Sequence, residues 1–218
     1  MGSITRGLSN NITTGGVILP AGITNSSVSA VTSFANASGG TLILLSTQTA
    51  SDSATISFTT GLDSTYDAYE FKFINCHART DVTRLTFNGS TDGGSNYNVT
   101  KTSTSFRAYN LENDGGSELS YITDYDLAQG TGFQYLDQNS GSDADQNLGG
   151  SLQIFNPSST TYVKHFIART SSVFASDGVT DLYIAGYMNT TSAINAIQFK
   201  MDSGNFDGTI KLYGLKKS

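Results

Sequence analysis

The chain has 218 residues, with 12 Lys and Arg against 18 Asp and Glu, a formal net charge of −6 at pH 7 and a pI near 4.7. An acidic balance argues against nucleic-acid binding, which needs a basic face, and a single cysteine, Cys76, excludes an intrachain disulfide framework and a Cys-rich zinc site. No stretch approaches the ~20 apolar residues of a membrane helix, and MGSITRGLSNN lacks the apolar core of a signal peptide, so we expect a soluble chain without membrane insertion or export.

Residues 1–38 differ in composition from the rest of the chain. They contain no Tyr, one Phe and one charged residue, Arg6, in a background of Ser, Thr, Asn and Gly. Such a segment cannot bury enough surface to fold alone. It is either a disordered tail or an extended arm that orders on a partner or on neighbouring copies. We favour the arm, since a solubilising tail would be more charged and less apolar. Its contacts with a partner would come from Ile12, Val17, Ile18, Leu19, Ile23 and Val28.

From Thr41 onward, apolar and polar residues alternate with the period of two that is typical of half-buried strands. Tyr69, Phe71 and Phe73 share one face of the clearest run, while Glu70 and Lys72 lie on the other. The predicted strands are 41–47, 54–60, 68–75, 84–89, 105–111, 120–127, 132–137, 151–156, 162–169, 181–188, 196–201 and 208–215. Turn clusters such as ENDGGS and DSGNFDG separate them. Short strands at this spacing predict an all-β sandwich or barrel over residues 39–218.

The exposed faces of these strands carry Ser and Thr with few Lys. Open sheet edges invite association with other chains unless charge or a covering segment protects them. The sequence therefore favours an oligomer.

Catalytic side chains are sparse. The two histidines are His77 and His165. His77 follows Cys76 in a strand, where neighbours point to opposite faces, so the two cannot pair as nucleophile and base. Cys76 is expected to be a buried, inert thiol, and His165 is expected to face the core or an interface.

Loop carboxylates leave hydrolysis of a glycan as an alternative, because paired acids perform that chemistry. The chain has no Trp to form a sugar platform, and we expect no enzymatic activity, no catalytic residue and no cofactor. The acids in predicted turns or at strand ends are Asp63, Asp67, Asp124, Asp126, Asp137, Asp143 and Asp145.

Two loops supply oxygen ligands for calcium, at Asp143 and Asp145 and at Asp202 and Asp207. Calcium needs six to eight oxygens, and neither loop has EF-hand spacing. We expect both to be ordinary turns and no metal site.

The stretch FNGSTDGGSNY, residues 87–97, allows three interpretations: a calcium loop at Asp92, a glycan on Asn88, or a turn. One carboxylate cannot fill a calcium shell, and sequons arise by chance in a chain this rich in Ser, Thr and Asn. We favour a turn, with Asp92, Gly93 and Gly94 at positive φ and Tyr97 beginning the return strand.

Loops rich in Asn, Asp, Tyr and Phe could bind a receptor or a glycan through hydrogen bonds and ring stacking. The candidate contacts are Tyr97, Asn110, Tyr125 and Tyr135.

DSATISFTTGLDSTYDAYEFKFIN (52–75), TFNGSTDGGSNYNVT (86–100) and GTIKLYGL (208–215) together resemble small structural proteins of tailed bacteriophages, especially phages of marine bacteria and cyanobacteria. The opening segment is similar to the arm that precedes such domains. The resemblance implies an antiparallel, jelly-roll-like β-sandwich in the virion, in a head fibre, a capsid decoration or cement protein, or a short tail fibre.

From the resemblance and the composition together, we expect a non-enzymatic structural protein made in the host cytoplasm. Its arm would attach to capsid or tail proteins, and its sandwich would face outward in a homotrimer. A fibre or appendage is favoured over a cement protein. Attachment to a host surface glycan is the alternative function.

Overall fold

The structure is a computed structural model that describes residues 41–215 and two short strands nearer the N-terminus. Of residues 12–13 and 16–17 only the strand pairing is described. The strands are β1 (Ile12–Thr13), β2 (Gly16–Val17), β3 (Leu42–Ser53), β4 (Ile56–Phe58), β5 (Ala68–Ala78), β6 (Leu85–Ser90), β7 (Lys101–Leu111), β8 (Ser117–Tyr121), β9 (Gln134–Tyr135), β10 (Leu148–Phe155), β11 (Lys164–Phe174), β12 (Gly178–Met188), β13 (Ala196–Met201) and β14 (Phe206–Leu215).

Twelve of these strands form an antiparallel β-sandwich. The larger sheet has eight strands in the order β3-β14-β5-β10-β11-β12-β7-β8, and the smaller has four in the order β4-β13-β6-β9. Every described pairing is antiparallel, and no helix occurs among the described residues. The all-β sandwich predicted from the alternation is confirmed.

The order of pairing is nested, and this gives the sandwich its jelly-roll-like character. β5 pairs with β14, β6 with β13, β7 with β12, and β10 with β11. The chain crosses between the sheets at each step from β5 to β6 and from β6 to β7, and crosses back through β13 and β14. The hairpin of β10 and β11 lies within the larger sheet.

Aromatic side chains fill the space between the sheets. Phe71 and Phe73 of β5 pack edge-on against Phe199 of β13, with ring centroids 5.0 and 5.3 Å apart. Phe87 of β6 contacts Phe166 of β11 in the same way, at 5.1 Å. Edge-to-face packing is favourable beyond the burial of area alone, so these contacts fix the distance between the sheets.

Each of the twelve predicted strands has a counterpart in the structure, but several bounds differ. The strand predicted at 120–127 ends at Tyr121, and the one predicted at 132–137 is reduced to Gln134–Tyr135. Between them, residues 122–133 form a connection that crosses from the larger sheet to the smaller one.

Contacts along the chain divide it into two units, Met1–Gly39 and Gly40–Ser218. In the first unit β1 pairs with β2, with Ile12 opposite Val17. Ile18, Leu19, Ile23 and Val28 lie outside the described residues, as do the side chains of Ile12 and Val17. The described part of the chain has no helix that could cross a membrane.

Candidate functional site: a polar cleft under the β7–β8 hairpin

A polar cleft lies where the hairpin of β7 and β8 extends over the connection that leads to β9. Its volume is about 370 Å³. The residues that line it come from β7, from the end of β8 and from three connections: Arg84, Arg107, Tyr121, Ile122, Thr123, Asp124, Tyr125, Gln138 and Asn139.

Arg84 forms one wall of the cleft and is held on several sides. Its guanidinium donates to Asp202 at 2.9 Å and to the Tyr125 hydroxyl at 2.9 Å, and lies 5.3 Å from the ring centre of Tyr135. Burial opposes ionisation of Asp202, but hydrogen bonds from Thr83 and Arg84 outweigh it and lower the pKa of that carboxyl. Arg84 is therefore a fixed part of the wall.

Arg107 has far fewer partners. Its side chain is 20% exposed, and its Nε is buried without a hydrogen-bond partner among the described residues. The Glu118 carboxylate lies 3.7 Å from Nη2, which is beyond hydrogen-bond distance. The guanidinium rests on the ring of Tyr109, 4.9 Å from its centre. Arg107 Nε is thus an N–H donor that the described residues do not satisfy.

Two further unpaired groups lie beside Arg107. The Oγ atoms of Ser105 and Ser120 are buried and, like Arg107 Nε, have no partner among the described residues. Ser105 is two residues from Arg107 on β7, and Ser120 on β8 is the cross-strand partner of Arg107. All three residues therefore lie on the inner face of the hairpin. Buried polar groups are usually paired, so these three are exceptions, and they lie on the face of the hairpin that carries Arg107 into the cleft.

A second, more apolar hollow of about 260 Å³ adjoins the cleft and shares Arg107 and Gln138 with it. Its other lining residues are Tyr109, Leu111, Phe174 and Ser176. The rings of Tyr109 and Phe174 meet edge-on, with centroids 6.2 Å apart. The two hollows together place polar groups and an aromatic surface side by side.

Two of the four contact residues predicted from the sequence lie at this cleft. Tyr125 lines it, and Tyr135 packs behind it against Tyr125, with ring centroids 5.0 Å apart. Asn110 is exposed on β7, and the Tyr97 carbonyl accepts a hydrogen bond from Asn88 between β6 and β7, so neither belongs to the cleft. Sequence reasoning missed Arg84, Arg107 and Gln138, because no local motif joins three residues on separate elements.

The stretch at residues 87–97 is a turn, but it does not form a hairpin. Gly93 and Gly94 have φ values of 73° and 92°, as predicted, but the positive φ predicted for Asp92 is wrong. The Asp92 carboxylate accepts bonds from Ser90 Oγ and the Asn96 amide N–H, which lower its pKa to about 2. The predicted return at Tyr97 is wrong, since β7 begins at Lys101 and belongs to the other sheet.

Asn88 is fully buried, which rules out a glycan on this side chain in the folded state. Its Nδ2 donates to the carbonyls of Tyr97 and Thr131, at 2.8 and 3.0 Å, and its Oδ1 accepts from Lys101 at 2.6 Å. Asn88 of the sequon therefore connects β6 by hydrogen bonds to the segment before β7, to the start of β7 and to the connection before β9.

The remaining chemistry-bearing residues are separated. Cys76 is fully buried, as predicted, and burial raises its pKa to about 12. His77 lies on the other face and its Nδ1 contacts the Gln146 carbonyl at 2.7 Å. His165 is exposed on β11, so the expectation that it faces the core is wrong and the interface remains as a prediction.

Asp137 is fully buried and accepts hydrogen bonds from the hydroxyls of Ser140 and Ser172, yet burial raises the pKa of its carboxyl.

In the two acidic loops, both carboxylates of the second loop are engaged by arginines. Asp202 pairs with Arg84 at 2.9 Å and Asp207 with Arg79 at 2.7 Å. Asp143 and Asp145 are exposed. Among the described residues, no group of three or more His, Cys, Asp or Glu side chains is arranged to hold a metal ion.

A second feature is the outer face of the larger sheet, across β8, β7, β12 and β11. Leu119, Ile167 and Val179 are 74, 52 and 50% exposed, and Phe106 and Tyr121 are exposed beside them. Cross-strand register puts these residues on one side of the sheet. We call these five residues the outer patch.

A hollow of about 420 Å³ opens next to the outer patch, where β12 contains two small residues. The residues that line this hollow include Ala185 and Gly186 of β12, together with His165, Ile167 and Tyr187. Exposed apolar surface of this kind is typical of a contact with another macromolecule.

Comparison with protein-family models, with curated proteins and with solved structures finds no match to this chain.

Proposed function

We propose that this chain is a non-enzymatic structural protein of a tailed-bacteriophage particle. Residues 1–38 attach to a capsid or tail protein, the sandwich is displayed outward, and three copies form a homotrimer. A fibre or appendage is favoured over a capsid decoration or cement protein. The motifs at 52–75, 86–100 and 208–215 support the class of protein, since they are the residues that carry the resemblance.

The observation that carries the proposal is the outer patch. Phe106 of the patch stacks on the neighbouring Tyr183, with ring centroids 4.9 Å apart and planes 3° apart. Arg169 covers the Tyr183 ring and pairs with Asp181 at 2.8 Å, so the adjacent charges are already neutralised. A surface that is apolar and internally neutralised suits burial against another protein.

The free edge of β3 adds a second reason to expect further copies. This strand has 12 residues and contains no Lys or Arg, and among the described residues it pairs only with β14. Long edges without Lys are prone to pair with another chain. Leu42 and Leu44 are exposed at its start.

Sedimentation velocity of the purified full chain tests the assembly. We expect a trimer at micromolar concentration, and dissociation when Leu119→Lys and Ile167→Lys are combined. The matched control is Val82→Lys, which changes an apolar residue that is 54% exposed in the connection between β5 and β6. A stable monomer in the unchanged chain, or a trimer indifferent to the double change, would contradict the proposed interface.

The place of the chain on a particle is a separate measurement. We expect mass spectrometry of purified virions to detect the chain and a reconstruction to place it at the particle surface with threefold symmetry. Loss of the protein without any change in capsid melting would favour the fibre, whereas lowered capsid melting would favour the cement protein. Absence from the purified virion contradicts the proposal.

A second candidate function is adsorption to a glycan or another receptor on the host surface. The polar cleft favours it, because the guanidinium of Arg107 and the ring of Tyr125 line the cleft, and Tyr109 lines the hollow beside it. We expect the purified chain to bind host cells and Arg107→Met to weaken that binding. The two functions are compatible, since a displayed fibre can also bind a receptor.

A further inference from the structure

The cleft offers hydrogen-bond donors and acceptors within one small space. Arg107 supplies guanidinium N–H groups, Asp124 supplies carboxylate oxygens, and Gln138 and Asn139 supply side-chain amides. A hydroxyl group both donates and accepts hydrogen bonds. Neighbouring hydroxyls on a sugar ring therefore match this mixture better than a ligand that only accepts.

The charges around Arg107 disfavour an anion. Glu118 lies 3.7 Å from the guanidinium, and Asp124 is exposed at the lining of the cleft. Asp202 already neutralises Arg84. A carboxylate or phosphate ligand would gain from Arg107 but would be repelled by Glu118 and Asp124, whereas a neutral polyol meets no such repulsion.

Arg107 is the cation of the hairpin that a ligand in the cleft can contact, because its side chain is 20% exposed and lines both hollows. Arg107 Nε and the hydroxyls of Ser105 and Ser120 are buried without partners among the described residues. A ligand hydroxyl that accepts from the guanidinium supplies a hydrogen bond to a charged donor, the stronger kind.

The adjoining hollow suits the other side of a sugar ring. Tyr109, Leu111 and Phe174 provide an apolar surface against which the C–H face of a pyranose can lie. Small-molecule sites span roughly 300–1,000 Å³; the cleft, at about 370 Å³, is at the low end of that range, and the adjoining hollow, at about 260 Å³, is smaller. The two hollows thus have room for one or two rings.

We propose that the cleft binds a neutral saccharide of one or two pyranose rings, with Arg107 as the principal donor and the Tyr109–Phe174 surface as the stacking platform. The inference rests on the second candidate function, adsorption to a host glycan, and gives its ligand a chemical class. Asp124 accepts from a sugar hydroxyl, and Arg84 acts through Tyr125 by holding it in place.

Titration of the full chain with defined sugars tests the proposal. The neutral probes are glucose, galactose, mannose, N-acetylglucosamine and their disaccharides, and the acidic probes are glucuronic, galacturonic and N-acetylneuraminic acids. Binding is measured by saturation-transfer NMR and by calorimetry. We expect at least one neutral probe to bind, a loss of tenfold or more in Arg107→Met, and a smaller loss in Asp124→Asn.

The matched control is Arg169→Met. Arg169 also rests on a tyrosine ring, 4.7 Å from the centre of Tyr183, and also lies beside a carboxylate, but on the outer face. We expect its affinity to stay within twofold of the unchanged chain. Arg107→Lys retains the positive charge at this position and serves as the test variant if Arg107→Met fails to fold. We expect Arg107→Lys to lower the affinity for the neutral sugar by at least threefold.

Each other outcome is informative. Binding of neutral probes that survives both changes at Arg107 overturns the site. Binding of acidic probes alone overturns the neutral class but leaves adsorption to glycans standing. If no sugar binds while the chain still adheres to host cells, the saccharide proposal fails and the receptor function stands. If adhesion is also absent, both fail.

Discussion

Val82 occupies a backbone conformation that β-branched residues rarely adopt. It lies in the connection between β5 and β6 with φ at 57°, and its side chain is 54% exposed. The left-handed region costs a residue with a branched Cβ about 1–2 kcal/mol, and exposure means that little packing offsets the cost. Asn visits this region more readily than other residues do.

We therefore expect Val82→Asn to raise the free energy of unfolding by ~1 kcal/mol, which for a chain of this size is ~2–4 °C in Tm. Thermal unfolding followed by circular dichroism measures the change. Val82→Ala is the control, because it removes the branching but keeps a Cβ, and it should fall between the two. An Asn variant no more stable than the Ala variant would argue against backbone strain at this position.

Lys101 is a buried cation whose stability contribution depends on pH. Its Nζ is enclosed and donates to Asn88 Oδ1 at 2.6 Å and to the Val99 carbonyl at 2.8 Å. Burial lowers the pKa of Lys101 from its ordinary 10.5 to about 7. Between those values the unfolded chain holds one proton more than the folded chain. The free energy of unfolding therefore rises as the pH increases from about 7 to about 10.5, by at most ~1.4 kcal/mol per pH unit.

Comparison with Lys101→Met isolates this effect. We expect the difference in unfolding free energy, unchanged chain minus variant, to grow by roughly 1–4 kcal/mol between pH 7 and 10 and to be constant below pH 6. Urea denaturation at a series of pH values measures it. Cys76, with its pKa raised to about 12, lowers stability above pH 9, but equally in both chains. A difference that stays flat from pH 6 to 10 would show that Lys101 keeps its ordinary pKa.

At the scale of the elements, β14 bends where Gly208 faces β5. Its φ is 133°, and the register between the two strands shifts between Asp207 and Thr209. A Cβ at this position would lie 2.7 Å from Cys76 Cα and 2.8 Å from the Asn75 carbonyl oxygen. Both are backbone atoms of the neighbouring strand, so the bulge needs a residue without a side chain.

Gly208→Ala should accordingly lower the free energy of unfolding by ~2–4 kcal/mol, because strain and overlap add. Gly132→Ala is the control: a Cβ there meets no atom within 4 Å, and we expect a change near zero. Chemical denaturation measures both. Equal effects of the two substitutions would mean that β14 adjusts its register without cost.

The elements themselves were predictable because one face of each strand is buried. Alternation in YEFKF anticipated Tyr69, Phe71 and Phe73 in the core, and all three are at most 3% exposed. The same rule failed for His165, since Lys164 and Phe166 are the residues of β11 that point inward. Alternation of polar and apolar residues separates the two faces of a strand. It does not show which face is buried in β11, where the buried Lys164 interrupts the apolar series.

The candidate site was only partly predictable, for a physical reason. Tyr125 and Tyr135 stood out as aromatics in polar surroundings. Arg84 lies in the connection just before β6 and Arg107 lies on β7, so their meeting at the cleft depends on strand pairing over long separations. That pairing follows from packing of the whole sandwich, which the pattern of any single segment does not contain.

At the scale of the whole molecule, the core that the structure describes lies in one of the two units. The described residues of the main apolar cluster, from Ala50 to Leu212, are all part of Gly40–Ser218. The strand that opens this unit, β3, pairs with the strand that closes it, β14. Hydrophobic burial is the dominant favourable term in folding, so the stability of the sandwich should depend little on residues 1–38.

Deletion of residues 1–38 separates folding from assembly. We expect the shortened chain to unfold in a single transition with a Tm within ~2 °C of the full chain, since its core is complete. We also expect it to remain a trimer by sedimentation, because the outer patch lies in the sandwich, but to lose its attachment to the particle. If the shortened chain keeps its Tm and becomes a monomer, the arm and not the outer patch holds the copies together. A broad, non-cooperative transition would mean instead that the sandwich needs the first unit to fold.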